Sequence, residues 1–478
     1  MKFKISLAIL SCFFVLLFSC RSKPQNNDLS VSKPNILFII VDDLKPELGC
    51  YGHADMVTPH IDELAKDGIT FTNAYTNVPV CGASRASILT GIYPTKNRFL
   101  SYESRADVDA AQAIALHQQL RLNGYKTYSL GKVFHKPQDH AEKWSQKPWL
   151  PQVPNMSKNY FLPKNIERQK QPNLTGPTYE KEIVDDDFYA DGKISLKAIQ
   201  TLDTLQNTSA PFFLAVGFNR PHLPFTVPKK YWDLYDESQI KLPSNYNWPQ
   251  DTPLKEQFNF EELRKYQYVP KKGPLTDTLA LKLIHGYKAS VSYADAMIGR
   301  VINKLKTTGK YDDTLIIVLG DHGFLTGQHG LWCKHVTFKE ALKAPLIIKM
   351  PKGVSNKKVS ELVEFVDIYP TICEAVGINK PAQLQGNSLL NTLMIKNVVP
   401  SKKFVFSRYE NMEAIKSEDF LFTQFINPQG EVTHQWLFDH RLDPDENNNV
   451  VNNPKYKSVV KKLKKHFKNI SNKWKDKY

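Results

Sequence analysis

The stretch NILFIIVDD, residues 35–43, organises the reading of the whole chain. An apolar run of this length is too short for a buried helix and reads as a strand covered on both faces. Two acids follow at its carboxyl end. Four more runs of the same kind occur: YKTYSL (125–130), FFLAVGF (212–218), TLIIVLG (314–320) and PLIIKM (345–350). All five read as buried parallel strands. Helical patterns lie between them. Thr58-Pro59 supplies an N-cap and a first-turn proline, and Gly68 follows the end of that helix. Residues 109–123, 285–307 and 365–376 give further helices. Strands alternating with helices predict an α/β sandwich around a mostly parallel sheet.

In such a sheet ligands collect beyond the carboxyl ends of the strands. Asp42 and Asp43 follow the first run, Lys132 and His135 the second, and Arg220 and His222 the third. Asp321 and His322 follow the fourth in GDHG, with His329 and Lys334 downstream. A lone Asp-Asp after a strand is often a helix cap, and scattered charges are often only solvated loops. Polar clusters after four runs of one sheet point instead to a site. Asp42, Asp43, Asp321 and His322 make a credible divalent-cation site, whose oxygen donors favour Ca²⁺ or Mg²⁺, although an imidazole suits Zn²⁺ better.

Composition describes an ordinary globular chain: 478 residues, 41% hydrophobic and 23% charged, with a net charge of +15. Ten lysines against one acid, Asp476, lie in residues 455–478. There Val459, Val460, Leu463, Phe467, Ile470 and Trp474 recur at helical spacing, which predicts an amphipathic helix packed on the body. Its lysines suit either a solvated face or an anionic partner, and no nucleic-acid motif accompanies them. The stretches 136–180 and 240–275 are long polar excursions of the kind that carry function. From about Lys402 shorter, antiparallel strands are expected. Residues 1–19 read as an export signal closing on Leu-Phe-Ser-Cys20, which resembles a lipobox, and residues up to 33 as a tether. Beyond Cys12 and Cys20, the four cysteines 50, 81, 333 and 373 are too scattered for a disulfide scaffold or a metal cluster. Cys81, in VPVCGASRASILTG (78–91), is thus left unexplained.

CGASRASILTG resembles the signature C-x-[PA]-S-R…L-T-G of the type I sulfatase family, with Ala83 where the signature most often has proline. Asp42-Asp43, GKVFH, RPHLPF and DHGFLTGQHGLWCK also resemble that family, in motifs closest to the iduronate-2-sulfatase type. The similarity runs from Pro34 to about Asn453. It implies an alkaline-phosphatase-like sandwich over residues 34–400 and a small C-terminal α+β subdomain over 401–478. It implies that a maturing enzyme oxidises Cys81 to formylglycine. A thiol would trap sulfate, whereas an aldehyde hydrate offers one hydroxyl to attack sulfur and another to expel sulfate. By the same resemblance Asp42, Asp43, Cys81, Asp321 and His322 hold one Ca²⁺, and Asp321 takes the proton of the attacking hydroxyl. Arg85 fixes the hydrate, while Lys132 and Lys334 clamp sulfate oxygens. His222 or Lys334 protonates the leaving oxygen, and His135 deprotonates the second hydroxyl. His329 and Trp332 either line the pocket or pack against it. The implied substrate is a sulfated oligosaccharide, cleaved exolytically at the 2-O-sulfate of a uronic acid. The protein is expected to be exported and anchored by lipidated Cys20. A sulfatase acting on another sulfated polysaccharide, a phosphohydrolase of the same superfamily and a lipoprotein that only binds sulfated polysaccharide are the competing readings.

Overall fold

The computed structural model describes residues 33–473 apart from 157, 173 and 254–259, so the signal, all of the tether but Lys33, and Trp474 lie outside the described residues. From Pro34 onward the chain forms one compact unit.

Its centre is a seven-stranded sheet. The principal elements are β1 (Asn35–Val41), α1 (Pro59–Asp67), β2 (Ile69–Phe71), α2 (Cys81–Thr90), β3 (Lys126–Gly131) and α3 (Ala190–Leu205). They continue with β4 (Phe212–Phe218), α4 (Asp277–Thr307), β5 (Thr314–Gly320), β6 (Leu346–Lys349), β7 (Lys357–Val359) and α5 (Ile368–Ala375). The strand order is β7-β2-β6-β5-β1-β4-β3. β1 pairs in parallel with both β4 and β5, and β3 joins β4 in parallel. The expected α/β sandwich is therefore present.

Alternation along β1 explains the layers. Leu37, Ile39 and Val41 face a core shared with α1, α3 and α4, whereas Ile36, Phe38 and Ile40 face one shared with α2 and α5. Both faces are covered, so β1 reads as a continuous apolar run. Truncating a side chain such as Phe38 to alanine would cost about 3–5 kcal/mol.

Four local expectations are corrected. The run 345–350 forms β6, which is antiparallel to β5 and β2, not parallel. Of residues 109–123 only Leu116–Leu122 is a helix, a separate short one, Ala106–Asp109, ending where the expected helix starts; Ile114 N–H donates to Gln383 Oε1 at 2.8 Å and not to a helical carbonyl. The helix expected over 285–307 begins at Asp277, where Thr276 Oγ1 accepts from Leu279 N–H. Thr58 precedes α1 but does not cap it: its hydroxyl accepts from Gly49 N–H and donates to Asp62. Asp295 of α4 supplies the cap, accepting from His60 N–H at 3.2 Å and Ile61 N–H at 2.7 Å.

Beyond Lys402 comes a four-stranded antiparallel sheet, β8 (Val405–Tyr409), β9 (Met412–Lys416), β10 (Phe420–Ile426) and β11 (Val432–Asp439), followed by α6 (Lys457–Lys473). Leu463 and Phe467 of α6 pack with Phe406, Ile415, Phe422 and Leu437, and the lysines at 457, 461, 462, 464 and 465 face solvent. Met412, Phe425, Trp436 and Phe438 pack with Leu325, Leu331 and Phe338 of the segment after β5.

Candidate active site

Parallel pairing carries the ladder past the strand ends and brings the polar residues into register. Asp42 N–H donates to Phe218 O, Asp321 N–H to Val41 O, and Lys132 N–H to Gly217 O. Asp42, Asp321 and Lys132 therefore meet at one end of the sheet. Asp43 turns out of β1 with φ of 62°, and its N–H donates to Asp321 Oδ1 at 3.1 Å.

α2 brings Cys81 to the same point as its first residue, and the helix is buried along its entire length. A Cβ at Gly82 would lie 2.2 Å from the Tyr102 carbonyl oxygen, so only glycine fits beside Cys81. Arg85, one turn on, donates from Nε to Asp321 at 2.8 Å, from Nη2 to Asp42 at 3.1 Å and from Nη1 to the carbonyls of Lys132 and Val133. Ser84 hydrogen-bonds Asp321 O and Thr76, which ties the helix start to the end of β5.

Three carboxylates and three cations balance in this buried volume. Lys132 Nζ donates to Asp42, and Lys334 Nζ to Asp43 at 2.9 and 3.0 Å. Burial works against the charge on Asp42, but Lys132, His222 and Arg85 outweigh it and hold the carboxyl well below its usual range. Asp321 goes the other way, because burial, with Asp42 adding to it, raises its carboxyl. Burial disfavours the charge on Lys334, yet Asp43 and its neighbours keep the ammonium firmly protonated. The Cys81 thiol is pushed well up by burial and then by Asp42. It is therefore a protonated thiol and a poor nucleophile.

The donor set fits a cation. One ligand atom from each of Asp42, Cys81, Asp321 and His322 lies within 4.8 Å of the others. His322 Nδ1–H donates to Gly323 O at 2.8 Å, which leaves the Nε2 lone pair facing Cys81 Sγ at 3.2 Å, Asp43 Oδ1 at 3.5 Å and Asp321 Oδ1 at 3.6 Å. A ring anchored through one nitrogen to a carbonyl, with the other free, is the arrangement metal-binding histidines adopt. All five expected ligands thus converge.

His135 and His222 are only partly buried. Burial, followed by Lys132, depresses His135 to about 2, so the ring is neutral, and its Nδ1 has no partner among the described residues. His222 Nδ1 donates to Leu223 O at 2.6 Å, and its Nε2 lies 3.0 Å from Glu262 Oε1. The Arg220 guanidinium holds the loop, donating to Thr226 O, Thr226 Oγ1 and the His222 carbonyl. His329 is 1% exposed, with its ring on Phe338 at 4.2 Å. Trp332 lines a neighbouring cavity.

Glu262 is the residue that sequence reasoning missed. It comes from the turn Glu261–Arg264 in the 240–275 excursion and reaches His222 Nε2 at 3.0 Å and Lys334 Nζ at 2.9 Å. No strand end or motif marks it; the excursion's length was the only signal. A second buried group, His329, Glu340 and Glu446, lies apart from these residues.

Comparison with known proteins adds the following. A family model described as Sulfatase matches residues 34–378, and one described as N-sulphoglucosamine sulphohydrolase, C-terminal, matches 327–473. The chain is similar to iduronate 2-sulfatase of Mus musculus, with 31% identity over 387 residues, 73% of this chain and 69% of that protein. Among solved structures, phosphonate monoester hydrolase from Silicibacter pomeroyi superposes with a TM-score of 0.75 at 22% identity, covering 93% of this chain and 96% of that one. A structure described as a 2-O GAG sulfatase gives a TM-score of 0.73 at 22% identity, covering 93% of each chain.

Proposed function

From the premise that the chain belongs to the sulfatase family and is a sulfuric ester hydrolase, we propose that it removes sulfate from sulfated sugars, specifically the 2-O-sulfate of a uronic acid at the non-reducing end. The observation that carries the reading is Cys81. It lies at the start of α2 among the carboxylates and lysines of the strand ends, with a thiol that burial keeps protonated and therefore inert. In this reading a maturing enzyme converts Cys81 to formylglycine, whose hydrate supplies one hydroxyl to attack sulfur and a second to expel sulfate. The likeness to iduronate 2-sulfatase supports the choice of 2-O-sulfate. The fold alone does not choose the ester, since a phosphonate monoester hydrolase shares it.

Asp42, Asp43, Asp321, His322 and the modified Cys81 would hold Ca²⁺, which carboxylate oxygens favour. When bound, the ion would polarise sulfate oxygens and acidify the attacking hydroxyl. The chain's own groups divide the remaining work. Asp321, with its raised carboxyl, accepts the proton of the attacking group. Arg85 is committed to Asp321 and Asp42, so it offsets their charge and fixes their orientation. Lys132 and Lys334 turn from the aspartates toward sulfate oxygens. His222, whose two nitrogens both face oxygen acceptors, donates the proton to the leaving sugar oxygen. His135, neutral in the free site, accepts the proton that lets sulfate depart. Export by residues 1–19 and anchoring through lipidated Cys20 belong to the same proposal.

The test is sulfate release from defined disaccharides by protein co-expressed with a maturing enzyme. Release from a 2-O-sulfated uronate at the non-reducing end is expected. Activity confined to aryl sulfates or to 6-O-sulfated hexosamine would refute the substrate assignment.

A further inference from the structure

A cavity of about 270 Å³ shares Lys334 with the site above, and none of its other lining residues has a part in that chemistry. Leu331, Val336, Met412 and Phe425 form an apolar floor, each buried. One wall is the ring of Tyr409, stacked on His335 with centroids 5.5 Å apart and 25° between planes. Trp332 also lines the cavity; it is 3% exposed, and its indole N–H has no partner among the described residues. A buried donor without an acceptor is costly unless a ligand meets it.

The rim is polar and acidic. β8 and β9 are joined tightly, Tyr409 pairing with Met412, so Glu410 and Asn411 form the hairpin tip, with φ of 49° at Glu410. That tip and Glu261 border the cavity from opposite sequence regions. Lys334 is the one lysine or arginine among the described lining residues, and its ammonium is shared by Asp43, Glu262 and, in the reading above, the scissile sulfate. An apolar floor with an aromatic wall and a hydrogen-bonding rim matches a sugar ring, which has carbon–hydrogen faces and hydroxyl edges. Two rim carboxylates with no cation to spare repel a second anion.

We propose that this cavity is a subsite for an uncharged sugar next to the sulfated one, and that Glu261 and Glu410 discriminate against a neighbour bearing its own sulfate. The proposal rests on the sulfated-sugar reading above.

The test uses three substrates with the same scissile 2-O-sulfate: the monosaccharide, a disaccharide whose neighbour is N-acetylated, and one whose neighbour is N-sulfated. Turnover is measured with the matured enzyme, and binding with a Cys81→Ala variant by tryptophan fluorescence. The N-acetyl disaccharide should surpass the other two about tenfold in kcat/KM and in affinity. Tyr409→Ala should abolish the gain over the monosaccharide, and Tyr409→Phe should retain it. The double variant Glu261→Gln/Glu410→Gln should bring the N-sulfated disaccharide level with the N-acetylated one. Equal values for monosaccharide and N-acetyl disaccharide, or an N-sulfated neighbour as good as an N-acetylated one, would overturn the proposal. Binding in the expected order without sulfate release would uphold the subsite and overturn the reading on which it was built.

Discussion

Two groups of buried ionisable side chains occupy different parts of the molecule. One lies at the carboxyl ends of β1 and β5; the other lies where the segment after β5 meets the four-stranded sheet. In the second, His329 is 1% exposed and Glu446 0%, and the His329 ring sits 4.0 Å from both Glu340 and Glu446. Glu446 also accepts from His440 at 2.7 Å and from Lys339 N–H at 3.0 Å. Burial opposes its charge, but His440 and Lys339 more than compensate and hold its carboxyl low. This group fastens three chain segments together, and Glu340, 14% exposed, is its outer member. The first group differs in two respects. It contains a thiol at a helix start, and its lysines rest on aspartates from which an anion can draw them. Buried charge alone therefore does not set the candidate active site apart; the thiol's position and exchangeable partners do.

That contrast is broken most severely at Cys81. Cys81→Ala should lower sulfate release by at least about 10⁴-fold, since the reacting atom is gone, while the thermal unfolding midpoint stays put. Asp321→Asn removes a ligand and the proton acceptor together. A fall of about 10³-fold is expected, with loss of bound metal by elemental analysis but a retained fold by circular dichroism. The second group should respond in the opposite sense. Glu446→Gln takes the carboxylate from His440 and one of the two beside His329 and should cost about 3 kcal/mol in denaturant unfolding, while kcat per folded molecule is kept. A selective loss of kcat there would erase the distinction between the groups.

The smallest effect concerns pH. His117 is fully buried and stacked on Trp144 at 4.0 Å, with neither ring nitrogen partnered among the described residues. Burial, and then His140, depresses it well below the ordinary 6.5. Below about pH 6.5 the unfolded chain takes up a proton that the folded chain refuses, so this group costs stability as pH falls. The loss should reach about 2 kcal/mol between pH 7 and pH 5. In His117→Phe the stability curve should be flatter over that window. An unchanged slope would show that His117 is not the source.

Much of this was legible in the sequence, for identifiable reasons. β1, β4 and β5 match their apolar runs residue for residue because both faces of each are buried. Parallel pairing then obliges the residues after those runs to meet at one end. The direction of β6 was misread, although the chain holds the reason. Between Gly320 and Leu346 the only helix with α geometry is the four-residue Lys339–Leu342, too short to cross back over the sheet, so the next strand must return antiparallel. The role of Cys81 came from the motif around it, not from composition. Glu262 escaped because a residue delivered by a surface excursion occupies no position in any periodic pattern. The cap of α1 escaped for a similar reason: Asp295 lies more than two hundred residues from the helix it caps, at separations of 235 and 234 residues from its two donors.

The central claim is that Cys81 becomes the reacting group of a sulfate ester hydrolase, and one paired measurement tests it directly. The protein is produced with and without a maturing enzyme, the peptide spanning Cys81 is weighed by mass spectrometry, and sulfate release from the 2-O-sulfated disaccharide is recorded on the same samples. The expected result is the aldehyde mass in matured protein, with activity proportional to the converted fraction and none from the thiol form. Full activity from protein whose Cys81 is an intact thiol would contradict the account.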